Sequence, residues 1–129
     1  MRGYLASEAG GSSLDMALSL PYFILIILGI FAISFVMWTE NGIQHAASAA
    51  ARCAVVATSE CDTISAVQNA AIGWSYGVLT SSDTSKITVN LSATCNSGQA
   101  GKAVLIQYAI NFFVISTTVA AESCFPNLS

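Results

Sequence analysis

The feature that most constrains this chain is a long uncharged stretch near its N-terminus. No Asp, Glu, Lys or Arg occurs in residues 16–39, and residues 22–33 are almost wholly apolar. As an α-helix, this stretch would span about 36 Å, enough to cross a hydrocarbon core about 30 Å thick. The sequence therefore predicts one transmembrane helix, with Tyr22 and Trp38 as interfacial aromatic residues at its two ends.

Composition supports the same conclusion. Of the 129 residues, 54% are hydrophobic and only 9% are charged, against about 25% charged in an average soluble domain. So much apolar surface excludes intrinsic disorder, and so few charges argue against a free soluble domain. The net charge of −3 comes from four basic and seven acidic residues. That balance leaves no basic patch for a phosphate backbone and excludes nucleic acid as a partner.

Two other interpretations of the apolar stretch are weaker. A cleaved secretory signal peptide has a shorter apolar core that ends in a small-residue cleavage site, whereas here the apolar run is longer and the small residues come late. A buried core helix would need an apolar enclosure that the downstream sequence does not supply. A second membrane segment at residues 109–115 is too short and is interrupted by Asn111.

An alanine-rich segment follows the apolar stretch. Because alanine is the best helix former and no proline intervenes, we expect the helix to run from about residue 13 to residue 57. Small apolar residues recur there at helical spacing, namely Ile43, Ala46, Ala47, Ala50 and Ala54. Such a stripe either lets the backbones of neighbouring subunits approach closely or packs on the chain's own head. The sequence leaves both possibilities open.

The remainder predicts a small α+β head. A second helix, capped by Asp62 or Thr63, runs to about Trp74, and a loop covers residues 80–85. Apolar and polar residues alternate over residues 86–93, which predicts a half-buried strand with one apolar face, made of Ile87, Val89 and Leu91. A hairpin loop at 96–101, a strand over 103–115 and a last strand over 117–123 complete a three- to four-stranded antiparallel sheet.

Four cysteines, Cys53, Cys61, Cys95 and Cys124, all follow the apolar stretch. Without any C-x-x-C pair they give little support to a metal site, and we expect no metal. Disulfides are favoured, and four cysteines allow three connectivities. We favour Cys53 with Cys61, closing the turn between the helices, and Cys95 with Cys124, joining the hairpin to the C-terminus. The alternative is four buried reduced thiols. Disulfides would require an oxidising compartment for the head.

Ahead of the apolar stretch, an acid, Asp15, stands near the start of the helix and a proline, Pro21, stands inside it. The run from Gly10 to Pro21, the apolar helix and then the segment Gln44 to Arg52 together resemble the TadE-like minor pilins (pseudopilins) of the tight-adherence branch of type IV pili. In that family a prepilin peptidase cuts after a glycine, and an acid stands fifth in the mature chain. Cutting between Gly10 and Gly11 makes Asp15 the fifth residue.

The resemblance implies a type IV pilin-like architecture and a role in filament structure, adhesion or filament initiation. Its domains would be a leader (1–10), a transmembrane and assembly helix (11–57) and a periplasmic head (58–129). The implied partners are other pilin subunits, the prepilin peptidase, the inner-membrane assembly platform and the lipid bilayer. The implied location is the bacterial inner membrane, with a single pass and the head in the periplasm, and the extracellular pilus after assembly.

Asp15 would pair with the mature N-terminal amine of a neighbouring subunit, because a lone carboxylate in an apolar filament core is costly. Pro21 removes one backbone hydrogen bond and permits a kink or local melting of the helix.

The sequence offers no catalytic constellation. The single histidine, His45, has no acid or cysteine at useful helical spacing, and we interpret it as a surface or packing residue. No G-x-S-x-G motif or phosphate-binding loop is present. We therefore expect no enzymatic activity, no catalytic residue and no cofactor. Two alternatives stay open: a bitopic membrane protein with a non-polymerising extracytoplasmic binding domain, and a secretion-system pseudopilin.

Overall fold

The computed structural model describes residues 9–56, 59–96, 98–112 and 115–127. They form helix α1 (Ala9–Val56), helix α2 (Ile64–Gly73), a short 3-10 helix (Ser81–Lys86) and strands β1 (Ile87–Thr94), β2 (Ala100–Phe112) and β3 (Ile115–Pro126). The chain divides into two compact units, Met1–Phe35 and Val36–Ser129. The layout is the α+β, pilin-like arrangement that the sequence predicts.

The first unit contains the N-terminal part of α1. The helix continues through Pro21, although proline has no N–H to donate to the carbonyl one turn earlier. Two hydroxyl groups on this part of the helix are bonded locally: Ser19 Oγ donates to the Met16 carbonyl at 3.2 Å and Ser34 Oγ to the Ile30 carbonyl at 2.8 Å. Bonding back to the helix satisfies these polar groups without a partner outside it.

In the second unit, α2 begins where its capping residue predicts. Of the two candidate caps, Thr63 serves: its Oγ1 accepts a hydrogen bond from the Ala66 N–H at 3.3 Å. The helix ends at Gly73, and the Trp74 N–H bonds to the Ala70 carbonyl. The boundaries therefore follow from a side-chain cap at the N-terminus and a glycine at the C-terminus.

The segment expected as a loop at 80–85 is largely a 3-10 helix, and that expectation was wrong. Asp83 organises the turn by accepting hydrogen bonds from the Thr80 N–H at 2.9 Å and from Thr80 Oγ1 at 2.7 Å. Its other oxygen lies 2.7 Å from Lys86 Nζ. These bonds, led by the one to Lys86, lower the pKa of Asp83 to about 2. The ion pair also raises the pKa of Lys86.

The sheet is antiparallel in the order β1-β2-β3, with an irregular register in β1 between Asn90 and Ala93. β2 begins at Ala100 instead of 103, because Ala100 and Gly101, expected as the end of the hairpin loop, pair with β1, and Gly101 also pairs with β3. β3 extends from 115 to 126, beyond the expected 117–123, and pairs with β2 as far as Gly101 and Pro126. Pairing with a long partner strand sets these ends, which local propensity does not show.

The core of the head is built on the alanine stripe of α1. Ile43, Ala46, Ala47, Ala50 and Ala54 are each at most 1% exposed and belong to one buried cluster with residues of α2 and the sheet. The structure thus decides between the two interpretations left open above: the stripe packs within the chain's own head. Lys102 of β2 adds a hydrogen bond between the sheet and the helix, because its Nζ donates to the Ala54 carbonyl near the end of α1.

Candidate assembly segment and head surface

The proposed processing and assembly residues stand at the start of α1. Gly10 and Gly11 lie in its first turn, and Asp15 follows Gly11 by four residues, on the same face of the helix. The Asp15 side chain is exposed. Residues 1–8 of the expected leader lie outside the described residues. The structure thus places Gly11 and Asp15 on one helical face, with Gly10 directly before them in the same turn and the carboxylate accessible to a partner.

Beyond Asp15, α1 exposes a nearly continuous apolar surface. Large hydrophobic side chains from Leu14 to Trp38 are between 37% and 73% exposed. Among the described residues, α1 is the single helix long and apolar enough to cross a membrane, and none of its most apolar window is buried within the chain. So much exposed apolar surface needs a bilayer or other apolar helices to cover it.

The cysteines form the connectivity favoured from the sequence. Cys53 at the end of α1 is bonded to Cys61 before α2, with Cα atoms 5.8 Å apart. Cys95 after β1 is bonded to Cys124 in β3, with Cα atoms 5.7 Å apart. No free cysteine occurs in the part of the chain that the structure describes. The first bond joins the end of α1 to the segment before α2, and the second joins the residue after β1 to β3.

An open cleft of about 850 Å³ lies on the head beside the first turns of α1 in this unit. It is lined by Trp38, Asn41, Gly42, Gln44, His45, Ser48, Tyr76 and residues 120–123 of β3. His45 is exposed, as expected of a surface residue, and its Nδ1 lies 3.3 Å from the Trp74 carbonyl oxygen. In residues 9–56, 59–96, 98–112 and 115–127, no three His, Cys, Asp or Glu side chains gather as metal ligands would.

Sequence reasoning missed the cleft and the turn that forms one of its walls. Tyr76 has a positive φ of 52° and is followed by Gly77 with φ of 82°. A left-handed conformation at tyrosine has no clear signal in the sequence, since glycine, asparagine and aspartate are the residues that favour it. Gly77 is a residue type that favours a positive φ, but it does not indicate the conformation of the tyrosine before it.

These features together define a protein with a pilin-like α+β layout, in which an exposed apolar helix, long enough to cross a membrane, precedes a disulfide-bonded head. Residues 10–52 match the family described as TadE-like protein. The match begins at Gly10 and covers Asp15, Pro21 and most of α1, which confirms the resemblance found in the sequence. No curated protein and no solved structure matches the chain.

Proposed function

We propose that this chain is a structural subunit of a tight-adherence type IV pilus, a minor pilin that acts in adhesion or in filament initiation and has no enzymatic activity. The observation that carries the proposal is the coincidence of the TadE-like match at residues 10–52 with the exposed apolar helix. A segment that is apolar on its whole surface can reside in a bilayer and can also pack with identical helices in a filament.

The proposed location is the bacterial inner membrane with the head in the periplasm, and the extracellular pilus after assembly. The two disulfides of the head support it, because such bonds persist in oxidising compartments and not in the cytoplasm. Arg2, on the other side of the apolar stretch, agrees with a cytoplasmic N-terminus.

Assembly would begin with cleavage between Gly10 and Gly11 by a prepilin peptidase. The new amine of Gly11 carries a positive charge that the uncut chain lacks at this place. Asp15 of one subunit would then pair with the Gly11 amine of the next and fix their axial register, since an unpaired carboxylate among apolar helices is strongly disfavoured. Pro21 weakens the helix one to two turns further on, which would help the inner-membrane assembly platform extract the subunit from the bilayer.

The test is intact-mass analysis with N-terminal sequencing of protein from membranes of the native host, combined with an Asp15→Ala variant. We expect a chain that begins at Gly11 and, for Asp15→Ala, normal membrane insertion with loss of incorporation into pili. Asp15→Glu, which keeps the charge, is the matched control and should retain incorporation. A chain that keeps residues 1–10 together with normal incorporation of Asp15→Ala would contradict the proposal.

The head cleft favours a second candidate function, a bitopic protein that binds a ligand outside the cytoplasm without polymerising. Such a protein needs neither cleavage at Gly10 nor the carboxylate of Asp15. The same experiment therefore separates the two candidates. A secretion-system pseudopilin would share the processing but would co-purify with secretion components instead of pili.

A further inference from the structure

The two outer strands of the head's sheet, β1 and β3, each hydrogen-bond to β2 alone in the part of the chain that the structure describes. The other side of each strand therefore carries a row of backbone N–H and C=O groups with no strand beside it. Such a row is a template for pairing with another chain, and natural proteins usually cover or interrupt it. The two edges of this sheet differ in how they are protected.

The edge at β1 is interrupted along its length. The pairing register shifts between Asn90 and Ala93, and the Asn90 side-chain oxygen accepts a hydrogen bond from the Ser92 N–H at 3.0 Å. At the start of the strand, Gln68 Nε2 of α2 donates to the Ile87 carbonyl at 2.9 Å. A bulge and neighbouring side chains are devices that prevent a further strand from adding to a sheet.

The edge at β3, which we call the open edge (the outer side of Ile115–Pro126), has none of these devices. All twelve residues of β3 pair with β2 without a shift in register. At about 3.4 Å per residue, the open edge is about 40 Å long. It contains no lysine or arginine, its one charged residue is Glu122, and its one proline is the last residue, Pro126. The open edge is therefore suited to receive a strand.

The open edge also borders the cleft described above. Along β3, the even-numbered residues from 116 to 122 are exposed, whereas the odd-numbered residues from 117 to 121 are half-buried or buried. Ala121 belongs to the buried cluster that contains the alanines of α1, so the odd-numbered residues face the helix. Residues 120–123 line the cleft together with Trp38 and Tyr76. A strand added at the open edge would place every second side chain at this cleft.

Another wall of the cleft is a turn held against α1. At Gly42 a Cβ atom would lie 2.8 Å from Val78 Cγ2 and 3.1 Å from the Ser75 carbonyl oxygen, so a larger residue would push the turn away. The turn displays Tyr76 at a φ of 52°, which non-glycine residues seldom adopt. Tyr76 and Trp38 are 64% and 62% exposed. Apolar side chains entering the cleft would cover these rings.

The charge of the open edge specifies the other face of the partner. Glu122 is exposed, and among the described residues its carboxylate takes part in no ion pair. Opposite charges on neighbouring strands stabilise a sheet, and like charges destabilise it. The β3 strand of a second copy fits poorly, because its helix-facing residues Thr117, Val119 and Ala121 are small and it would bring a second Glu122.

We propose that the open edge and its cleft bind an extended segment of a partner protein by strand addition. Backbone hydrogen bonds to β3 hold the segment, and its alternate side chains give specificity. Large apolar side chains occupy the cleft beside Trp38 and Tyr76, and lysine or arginine on the other face lies beside Glu122. This inference goes beyond the proposed function and uses residues of the head alone, so it does not depend on cleavage at Gly10 or on polymerisation.

The test uses the full-length chain in detergent micelles and a short fluorescein-labelled peptide in which valine or phenylalanine alternates with lysine or threonine. Fluorescence anisotropy should show saturable binding. Two further peptides carry N-methyl groups on one or the other alternate set of amides, which removes strand donors and leaves the side chains in place. Methylation of at least one set should weaken binding by about tenfold, the effect of losing two or three hydrogen bonds.

A charge reversal tests where the peptide binds. Glu122→Lys should weaken binding of the lysine peptide about fivefold and strengthen binding of the same peptide with glutamate in place of lysine. The matched control, Glu60→Lys, makes the same change of net charge at an exposed residue before α2 and should leave both affinities unchanged. Tyr76→Ser should also weaken binding, whereas Ile64→Ser, at a residue 50% exposed on α2, should not. Intact mass without reductant verifies that both disulfides have formed in each variant.

Binding that survives both patterns of methylation would overturn the inference, because the backbone of the peptide would then not pair with β3. Equal effects of Glu122→Lys and Glu60→Lys would also overturn it, since net charge alone would explain the binding. A dimer of the chain that the peptide disperses would identify a second copy as the occupant and would overturn the assignment to a partner protein. None of these results affects the processing and incorporation test of the proposed function, so the two can fail independently.

Discussion

Removing the two disulfides separately should destabilise the head by different amounts. In the loop-closure description, a cross-link stabilises by restricting the unfolded chain, and the effect grows with the length of the closed loop. Cys95 and Cys124 are 29 residues apart, which gives about 3.6 kcal/mol at 25 °C. Cys53 and Cys61 are 8 residues apart, which gives about 2.5 kcal/mol. The free energy of unfolding should therefore fall further, by about 1 kcal/mol, when the longer loop is opened.

The measurement is urea unfolding of the full-length chain in detergent micelles, followed by the fluorescence of Trp74 in the Trp38→Phe background. The double variants Cys95→Ala/Cys124→Ala and Cys53→Ala/Cys61→Ala are compared with the parent, oxidised and reduced. On reduction, each double variant should gain the mass of two hydrogens from its one remaining disulfide, whereas the parent should gain four from its two. Equal losses of stability, or a larger loss from opening the shorter loop, would refute the loop-closure reasoning for this head.

Two further predictions concern single residues of the head. Gly101→Ala should destabilise the head by about 1 to 3 kcal/mol or prevent its folding, because the new methyl would collide with the Phe125 carbonyl oxygen and lie 2.6 Å from Cys95 Sγ. The control is Gly73→Ala, whose new methyl meets nothing within 4 Å. In the same urea titration, this control should unfold at no lower urea concentration than the parent. Asp83 contributes stability that is fully present above its ordinary pKa of 3.8 and is lost as the pH falls towards its folded pKa of about 2. Thermal unfolding of Asp83→Asn between pH 5 and pH 2 should therefore show a smaller decrease in melting temperature than the parent, and identical decreases would count against the role assigned to this carboxylate.

The elements that the sequence predicts best are those specified by local signals. The uncharged stretch and the alanine-rich segment together predict most of α1, and Thr63 marks the start of α2 because a side-chain oxygen caps it. The alternation of Ile87, Val89 and Leu91 gives the correct face of β1, with Ile87 buried and the other two half-buried. Each signal acts within a few residues of the structure it determines.

Features that depend on distant parts of the chain escaped prediction. The start of β2 near Gly101 depends on a close approach to Phe125, and the 3-10 helix depends on how Asp83 bonds to Thr80 and Lys86. The cleft depends on a left-handed turn at Tyr76 packed against Gly42. The processing and assembly residues were inferred from the resemblance to the TadE-like family. Their chemistry stays a prediction, because it requires a peptidase and neighbouring subunits.

The alanine face of α1 has a consequence for the order in which this chain is made. Residues 43–54 are synthesised before β2, whose Val104 and Ile106 share their buried cluster. Until those strands exist, the face that will become the core is open to water. An alanine exposes a single methyl group and favours the helix even without tertiary contacts. A row of leucines would expose far more apolar area to water before the strands are synthesised. A nascent chain can therefore form the helical part of its future core, with little tendency to aggregate, before the sheet is synthesised.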